Sequence, residues 1–289
     1  MTVAIGCVCD ERTWLHAAVL VQQLVDVATK SQIVVFSTAR LPEHVFARLG
    51  AELVPLAPAM PVPAEMRYFF IGTDGNPIAR RYSPWQKLAV WAQTRWSKIV
   101  LLDVDQVVLR NIDEMVQFPA DTFSPEACGR LDHAPPFVHA ARCSELVTGG
   151  FNAGAMVIEP SMQRYEQMVR YADQHVAHQL RMAGTNRTVR TGIERSHLAF
   201  PEQSFLGRFF WDVRNASLHT AGGRPSGYLW RPEPLWRDLE QSSVCSSHKS
   251  FGETRPAGCT SSRVSAMSRL FNARLLDCAR RIGFRSFRL

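Results

Sequence analysis

Residues 98–113 read KIVLLDVDQVVLRNID. After Lys98, four apolar residues run straight into Asp103-Val104-Asp105. A short apolar run of this kind suits a strand buried on both faces, as in parallel sheets covered by helices. Side chains on a strand repeat every two residues, so the two carboxylates project to one side. They stand where the strand ends, the edge at which ligands bind in open α/β sheets. Two hard oxygen donors held close together suit a magnesium or manganese ion, and such an ion can bridge a diphosphate. A pair of ordinary surface carboxylates after a strand has the same short pattern, so the surroundings have to decide.

Working back from residue 98, strand and helix signals alternate. Thr2–Cys9 (TVAIGCVC) is a short β-rich run. Trp14, Ala17, Ala18, Val21, Leu24, Val25 and Ala28 place one apolar stripe on a helix from about Thr13 to Thr29, with Asp10 or Thr13 as its cap. Ile33–Phe36 is a second buried strand. Pro42–Leu49 is a short helix with Pro in its first turn and Gly50 just past its end. Leu53-Val54 is a third, weaker strand. This βαβαβ beginning predicts a parallel sheet covered by helices. No GxGxxG follows the first strand and no GxxxxGK[ST] occurs, which disfavours dinucleotide and P-loop sites. Residues 57–81, with four prolines and two glycines, read as irregular, with Tyr68–Ile71 a short strand or buried anchor. Pro84 opens a helix to about Arg95 that carries Trp85, Leu88 and Trp91 on one face, and Lys87 beside them.

Working forward, Ala155–Ile158 is a strand and Ser161 to about Arg181 a helix, with Met162, Tyr165, Val169, Ala172 and Val176 inward. Gly184–Arg195 is polar and loop-like, and Glu202–Phe210 is a short helix. Trp211, Trp230 and Trp236 are read as packing residues. Cys7 and Cys9 lie on one face of the first strand, and packing explains them better than redox chemistry.

Three ordered segments resemble glycosyltransferase family 8, the glycogenin-like enzymes. The first is Lys87-Leu88 and Trp91 on a helix, then KIVLL, DVD, an apolar triplet and Asn111-Ile112-Asp113. The second, GFNAGAMVI at 150–158, is similar to that family's turn leading into a strand. The third, PEQSFL at 201–206, is similar to its Glu-Gln segment, with Ser204 where several branches carry Asp and Gly207 where they carry Asn. A fourth segment, HKSFGETRP at 248–256, matches less well. It has one extra residue between His and Gly, Arg in place of Lys, and Ala257 where Trp is usual.

The resemblance implies an α/β fold: a GT-A type, Rossmann-like three-layer domain with a mixed, mostly parallel central sheet. It implies retaining transfer of a hexose from a UDP-sugar to a hydroxyl acceptor, with the acceptor attacking on the face that UDP leaves. Asp103, Asp105 and His248 would hold manganese (or magnesium), Asp103 also helping to position the ribose. Arg255, with Lys249 as a competing candidate, would neutralise the leaving diphosphate. Lys87, Asn152, Glu202 and Gln203 would orient the sugar. The altered 248–256 segment keeps open a non-catalytic nucleotide-sugar-binding protein of the same fold. A haloacid-dehalogenase-like phosphatase shares the strand–DxDxV pattern, but its motif ends the first strand of its domain and three β/α units precede it here.

Composition fits a globular chain: 289 residues, 46% hydrophobic and 20% charged. The net charge of +7 is concentrated at the end, where residues 263–289 hold seven Arg and one Asp. The remainder is nearly neutral, which argues against nucleic acid as partner. The reading is therefore a catalytic domain over 1–260 and a basic tail over 261–289. A solvated or core-packed terminal helix accounts best for the tail, ahead of a dock for a membrane surface or acidic partner. Neither a leader nor a membrane span is visible, so a cytoplasmic location is expected. The expected partners are a nucleotide-sugar donor and a sugar, protein or lipid-linked acceptor. No oligomeric state is fixed, and a homodimer is compatible with the sequence.

Overall fold

The apolar runs of the sequence become a six-stranded sheet in the order β3-β2-β1-β4-β6-β5. The structure, a computed structural model, describes residues 2–71, 75–76, 78–106, 108, 111–118, 120–125, 151–198 and 201–210. His248, Lys249, Arg255, the boundary near residue 260, the basic tail, and Trp211, Trp230 and Trp236 lie outside the described residues. Strands β1 (Val3–Cys9), β2 (Gln32–Ser37), β3 (Glu52–Pro55) and β4 (Lys98–Leu102) run parallel. β6 (Phe151–Ile158) runs antiparallel beside β4, and β5 (Thr122–Pro125) antiparallel beside β6. The sheet is thus mixed and mostly parallel, as expected.

Both faces are covered. On one, α1 (Trp14–Asp26), α2 (Glu43–Arg48) and a 3₁₀ turn at Asp113–Gln117 pack over Ile5, Cys7, Cys9, Val35, Val100 and Leu102. On the other, α3 (Arg67–Phe70), α4 (Ala79–Gln86) and a 3₁₀ helix Lys87–Ala92 meet α5 (Met162–Tyr171), α6 (His178–Ala183), α7 (Arg187–His197) and the helical residues 201–210, here α8. The two-residue period of β1 sorts its side chains accordingly: Ala4 and Val8 go to this second core, Ile5, Cys7 and Cys9 to the first. Cys7 and Cys9 are free and buried, as packing requires, and burial pushes the Cys7 thiol up to about 12. Among the described residues no helix is long and apolar enough to cross a membrane.

Two local devices set the frame. Gly6 lies opposite Val34 in the β1–β2 ladder, and a Cβ there would stand 1.7 Å from the Val34 carbonyl oxygen. Asn111-Ile112-Asp113 is structural, not catalytic. The Asp113 carboxylate accepts from the amides of Lys30 (2.8 Å) and Ser31 (3.1 Å) and from the Ser31 hydroxyl (2.8 Å), tying the α1–β2 turn to the chain leaving β4. Asn111 adds a donation to the Ala28 carbonyl at 2.9 Å.

Several expectations are corrected. Residues 67–70 are helical, and Phe70 is the buried anchor. The helix expected from Pro84 begins earlier, at Ala79, and Pro84 lies inside it. The chain then tightens into a 3₁₀ helix from Lys87. The strand expected at 155–158 starts at Phe151, because β4 pairs only Ala155–Ile158 while β5 pairs Phe151 and Asn152 as well. Met162 is exposed. The helix beginning there contains a π-helical turn at Ala172–Ala177 before α6. The loop expected at 184–195 is α7: the Asn186 side chain accepts from the Val189 amide at 3.1 Å, and Ile193 and His197 are buried. Only a narrow face of α7 is apolar, so its composition looks like that of a loop.

Gly6→Ala should lower unfolding free energy by about 3 kcal/mol or more, because backbone must move to admit the methyl. Gly192→Ala, in open space on α7, should leave it unchanged or raise it by about 0.5–1 kcal/mol. Urea unfolding of the two variants checks both the strand approach and the helix.

Candidate active site

The carboxyl end of β4 is the centre of the site. β4 ends at Leu102, and the Asp103 amide donates to the Gly154 carbonyl at 2.8 Å, one further rung beside β6. The chain then turns: the Gln106 amide donates to the Asp103 carbonyl at 3.2 Å, which puts Asp105 at the corner, half-buried. The two aspartates therefore belong to one tight turn at the carboxyl end of β4 and not to the strand itself, so the two-residue strand period expected to turn both carboxylates to one side does not apply to them.

Lys87 is the first residue of the 3₁₀ helix after α4, and its ammonium reaches across to this turn. It donates to the Asp103 carboxylate and, at 3.0 Å, to Glu202 at the start of α8. Lys87 and Glu202 are both 9% exposed. Burial by itself would lower the Lys87 pKa. The attraction of Asp103 and Glu202, with the hydrogen bonds they accept, outweighs it and holds the ammonium well above the ordinary lysine value. Packing fixes the two carriers of these charges. Trp85, two residues before Lys87, meets Phe205, three after Glu202, edge to face with centroids 4.9 Å apart, a contact worth about 0.5–1.5 kcal/mol beyond its buried area.

Gln203 serves the third wall. Where β5 pairs with β6 the register shifts between Phe123 and Ser124, so residues 153–155 have no partner in that ladder. The Ala153 amide, inside that stretch, donates to the Gln203 side-chain oxygen at 3.1 Å. Asn152 is the second residue of β6, opposite Ser124. Ser204 is fully buried and so is no substitute for a carboxylate facing a ligand.

Of the residues picked out by sequence, Lys87, Asp103, Glu202 and Gln203 are brought together, Asp105 adjoins them in the turn, and Asn152 adjoins the Ala153 contact. His248, Lys249 and Arg255 lie outside the described residues. Gln106 was not anticipated. Its side-chain amide donates to the Gly154 carbonyl at 2.7 Å, and in sequence it is only one polar residue before an apolar triplet. No group of three or more His, Cys, Asp or Glu among the described residues is disposed to hold a metal. The donor chemistry nevertheless suits one. One ammonium (Lys87) against three carboxylates (Asp103, Asp105, Glu202) is 1 − 3, a formal charge of −2, which a divalent cation on two hard oxygen ligands would neutralise.

Replacing Lys87 by Met should cost about 3–5 kcal/mol at neutral pH, somewhat less for the partial exposure of Asp103, since it leaves two carboxylates facing each other. The sign with pH follows. In the wild type the raised Lys87 value gives stability that is complete below the ordinary lysine pKa, about 10.4, and is lost only above it. In Lys87→Met the carboxylate values are raised instead, so the variant should regain stability as pH falls from 7 towards 4. Urea midpoints measured from pH 4 to about 12 test both directions, since the wild-type loss begins only above the ordinary lysine value.

No family model matches the chain. It is 27% identical over 178 residues to galactinol synthase 6 of Arabidopsis thaliana, taking in 55% of this chain and 46% of that protein. It is 26% identical over 160 residues to inositol phosphorylceramide glucuronosyltransferase 1 of the same plant, taking in 55% of this chain and 22% of that one. The curated relatives it matches are spanned over only 12% to 46% of their length. Among solved structures it superposes on the galactosyltransferase LgtC with a TM-score of 0.46 at 12% identity, covering 93% of this chain and 95% of that one; a superposition at that score supports no functional statement. Over about half of its length the chain is thus similar to plant proteins named as a galactinol synthase and a glucuronosyltransferase, and its Lys87, Asp103 and Glu202 segments meet at the carboxyl end of β4.

Proposed function

We propose that the chain is a glycosyltransferase that moves a hexose from a UDP-sugar to a hydroxyl acceptor, with retention at the anomeric carbon and a divalent metal held by Asp103 and Asp105. The observation that carries this reading is the junction of Lys87, Asp103 and Glu202 beside that turn. It places a fixed cation and two carboxylates at the carboxyl end of a central strand, and the curated relatives reaching 55% of the chain bear names of sugar-transferring enzymes.

Asp103 and Asp105 supply two hard oxygen ligands, and His248 is the proposed third. Manganese or magnesium, when bound there, offsets the charge that develops on the leaving diphosphate. Arg255 is the residue proposed to bind the far side of that diphosphate, with bidentate geometry, and Lys249 is the alternative. Lys87 keeps its proton throughout and restrains Asp103 and Glu202 in fixed positions. Its buried ammonium is a preorganised charge, which costs no reorganisation when the reaction occurs. Gln203 commits its side-chain oxygen to the Ala153 amide. Its amide hydrogens are then the donors available to orient the sugar, and Glu202 and Asn152, the latter next to Ala153 in the chain, are the other residues proposed for that task.

Glu202 is already hydrogen-bonded by Lys87, a poor arrangement for a nucleophile that must attack carbon. Attack by the acceptor hydroxyl on the face that UDP leaves is therefore the route preferred for retention. The acceptor, a sugar, a protein or a lipid-linked hydroxyl, is proposed to enter outside this wall.

A panel of UDP-hexoses incubated with manganese should show release of UDP. Asp105→Ala should lower kcat/KM about 1000-fold or more, a loss near 4 kcal/mol. Metal-dependent UDP binding with no turnover of any UDP-sugar would instead make the chain a nucleotide-sugar-binding protein.

A further inference from the structure

We infer that Gln106 is a positioning residue that locks the Asp103–Asp105 turn in the form that presents both carboxylates to a cation. The inference rests on the proposed reading of those aspartates as metal ligands. Its geometric basis is one carbonyl oxygen. Gly154 O accepts from the Asp103 amide at 2.8 Å and from the Gln106 side-chain amide at 2.7 Å. The first and last residues of the turn are thereby tied to the same point of β6. Within the turn, the Gln106 amide donates back to the Asp103 carbonyl at 3.2 Å, the long limit of an N–H···O bond. The side-chain bond is the shorter of the two that hold residue 106.

The next tie along the chain is also a side-chain amide. The Val108 amide donates to the buried Gln23 side chain at 2.6 Å, two residues on. Among the described residues between β4 and that tie, Gln106 holds the exit of the turn to β6. Two carboxylates two residues apart repel each other, and a turn free to open would let them separate. Partners that orient metal ligands from behind typically account for a 10–100-fold difference in metal affinity. The anchor point matters equally, since Gly154 follows the Ala153 amide held by Gln203. Through β6, Gln106 links the aspartate turn to the wall that carries Gln203.

The test uses the full chain without any sugar donor. Manganese binding is read from the electron paramagnetic resonance of the free ion, and exchange of the Asp103 amide region from hydrogen–deuterium mass spectrometry without metal. Gln106→Met keeps the length and loses the donor. It should weaken manganese binding about 10-fold or more and speed exchange in the 103–106 peptide at least several-fold, with the urea midpoint close to wild type. Gln106→Asn, whose amide stops one methylene short of Gly154, should weaken manganese binding similarly and serves if the Met variant folds poorly. Manganese binding lost in Asp105→Ala but kept at wild-type affinity in Gln106→Met or Gln106→Asn would overturn the inference alone. Equally weak binding by wild type and Asp105→Ala would overturn the metal reading, and this inference with it.

Discussion

The ammonium of Lys87, buried between Asp103 and Glu202, is the interaction on which the site depends. Its partners lie 16 and 115 residues away in the chain. A lone buried ammonium would be expelled or neutralised, and so would a lone buried carboxylate. Each group is tolerable only because the others are in place. The 3₁₀ helix after α4, the end of β4 and the start of α8 therefore meet in a single arrangement. Such a cluster adds little stability over apolar residues of the same volume. What it fixes is geometry: one cation and two carboxylates held at the carboxyl end of β4.

The rest of the fold serves that geometry in layers. β1 and β2 approach closely enough at Gly6 to exclude a side chain, which sets the centre of the sheet. Asp113 and Asn111 tie the segment beyond β4 to the α1–β2 turn, so the chain leaving the aspartates is anchored far from them. Trp85 against Phe205 holds the carriers of Lys87 and Glu202 together from within the core. The register shift in β6 leaves an amide for Gln203 to hold. Each device uses a contact between elements remote in sequence, and each converges on the edge formed by the ends of β4 and β6.

Charge balance connects this arrangement to chemistry. With Lys87 counted, the site retains formal negative charge at Asp103, Asp105 and Glu202. Under the proposed function, a divalent cation on the aspartate turn would offset that charge and let a diphosphate approach. On that proposal the near-neutral body of the chain would need no broad basic surface, because the compensation is local.

The sequence by itself determined the parallel half of the sheet, since strands covered on both faces must be apolar nearly throughout and 3–9, 33–36 and 99–102 are. It also placed the aspartates at the end of β4, because the apolar run stops at Leu102, while the turn that carries both was decided by the fold. The resemblance to the glycogenin-like enzymes, and not any spacing, grouped Lys87 with Glu202 and Gln203. Tertiary structure alone decided what these residues do to one another. It made Lys87 a partner of both carboxylates, inserted β5 and the first half of β6, and turned a polar stretch into α7 because only one narrow face is buried. It also made Gln106 a tie to Gly154 and Ser204 a buried core residue. Periodicity reports how a segment meets water, one element at a time. Which remote amide, ammonium or carboxylate satisfies a given buried group depends on distances that exist only after the chain has closed.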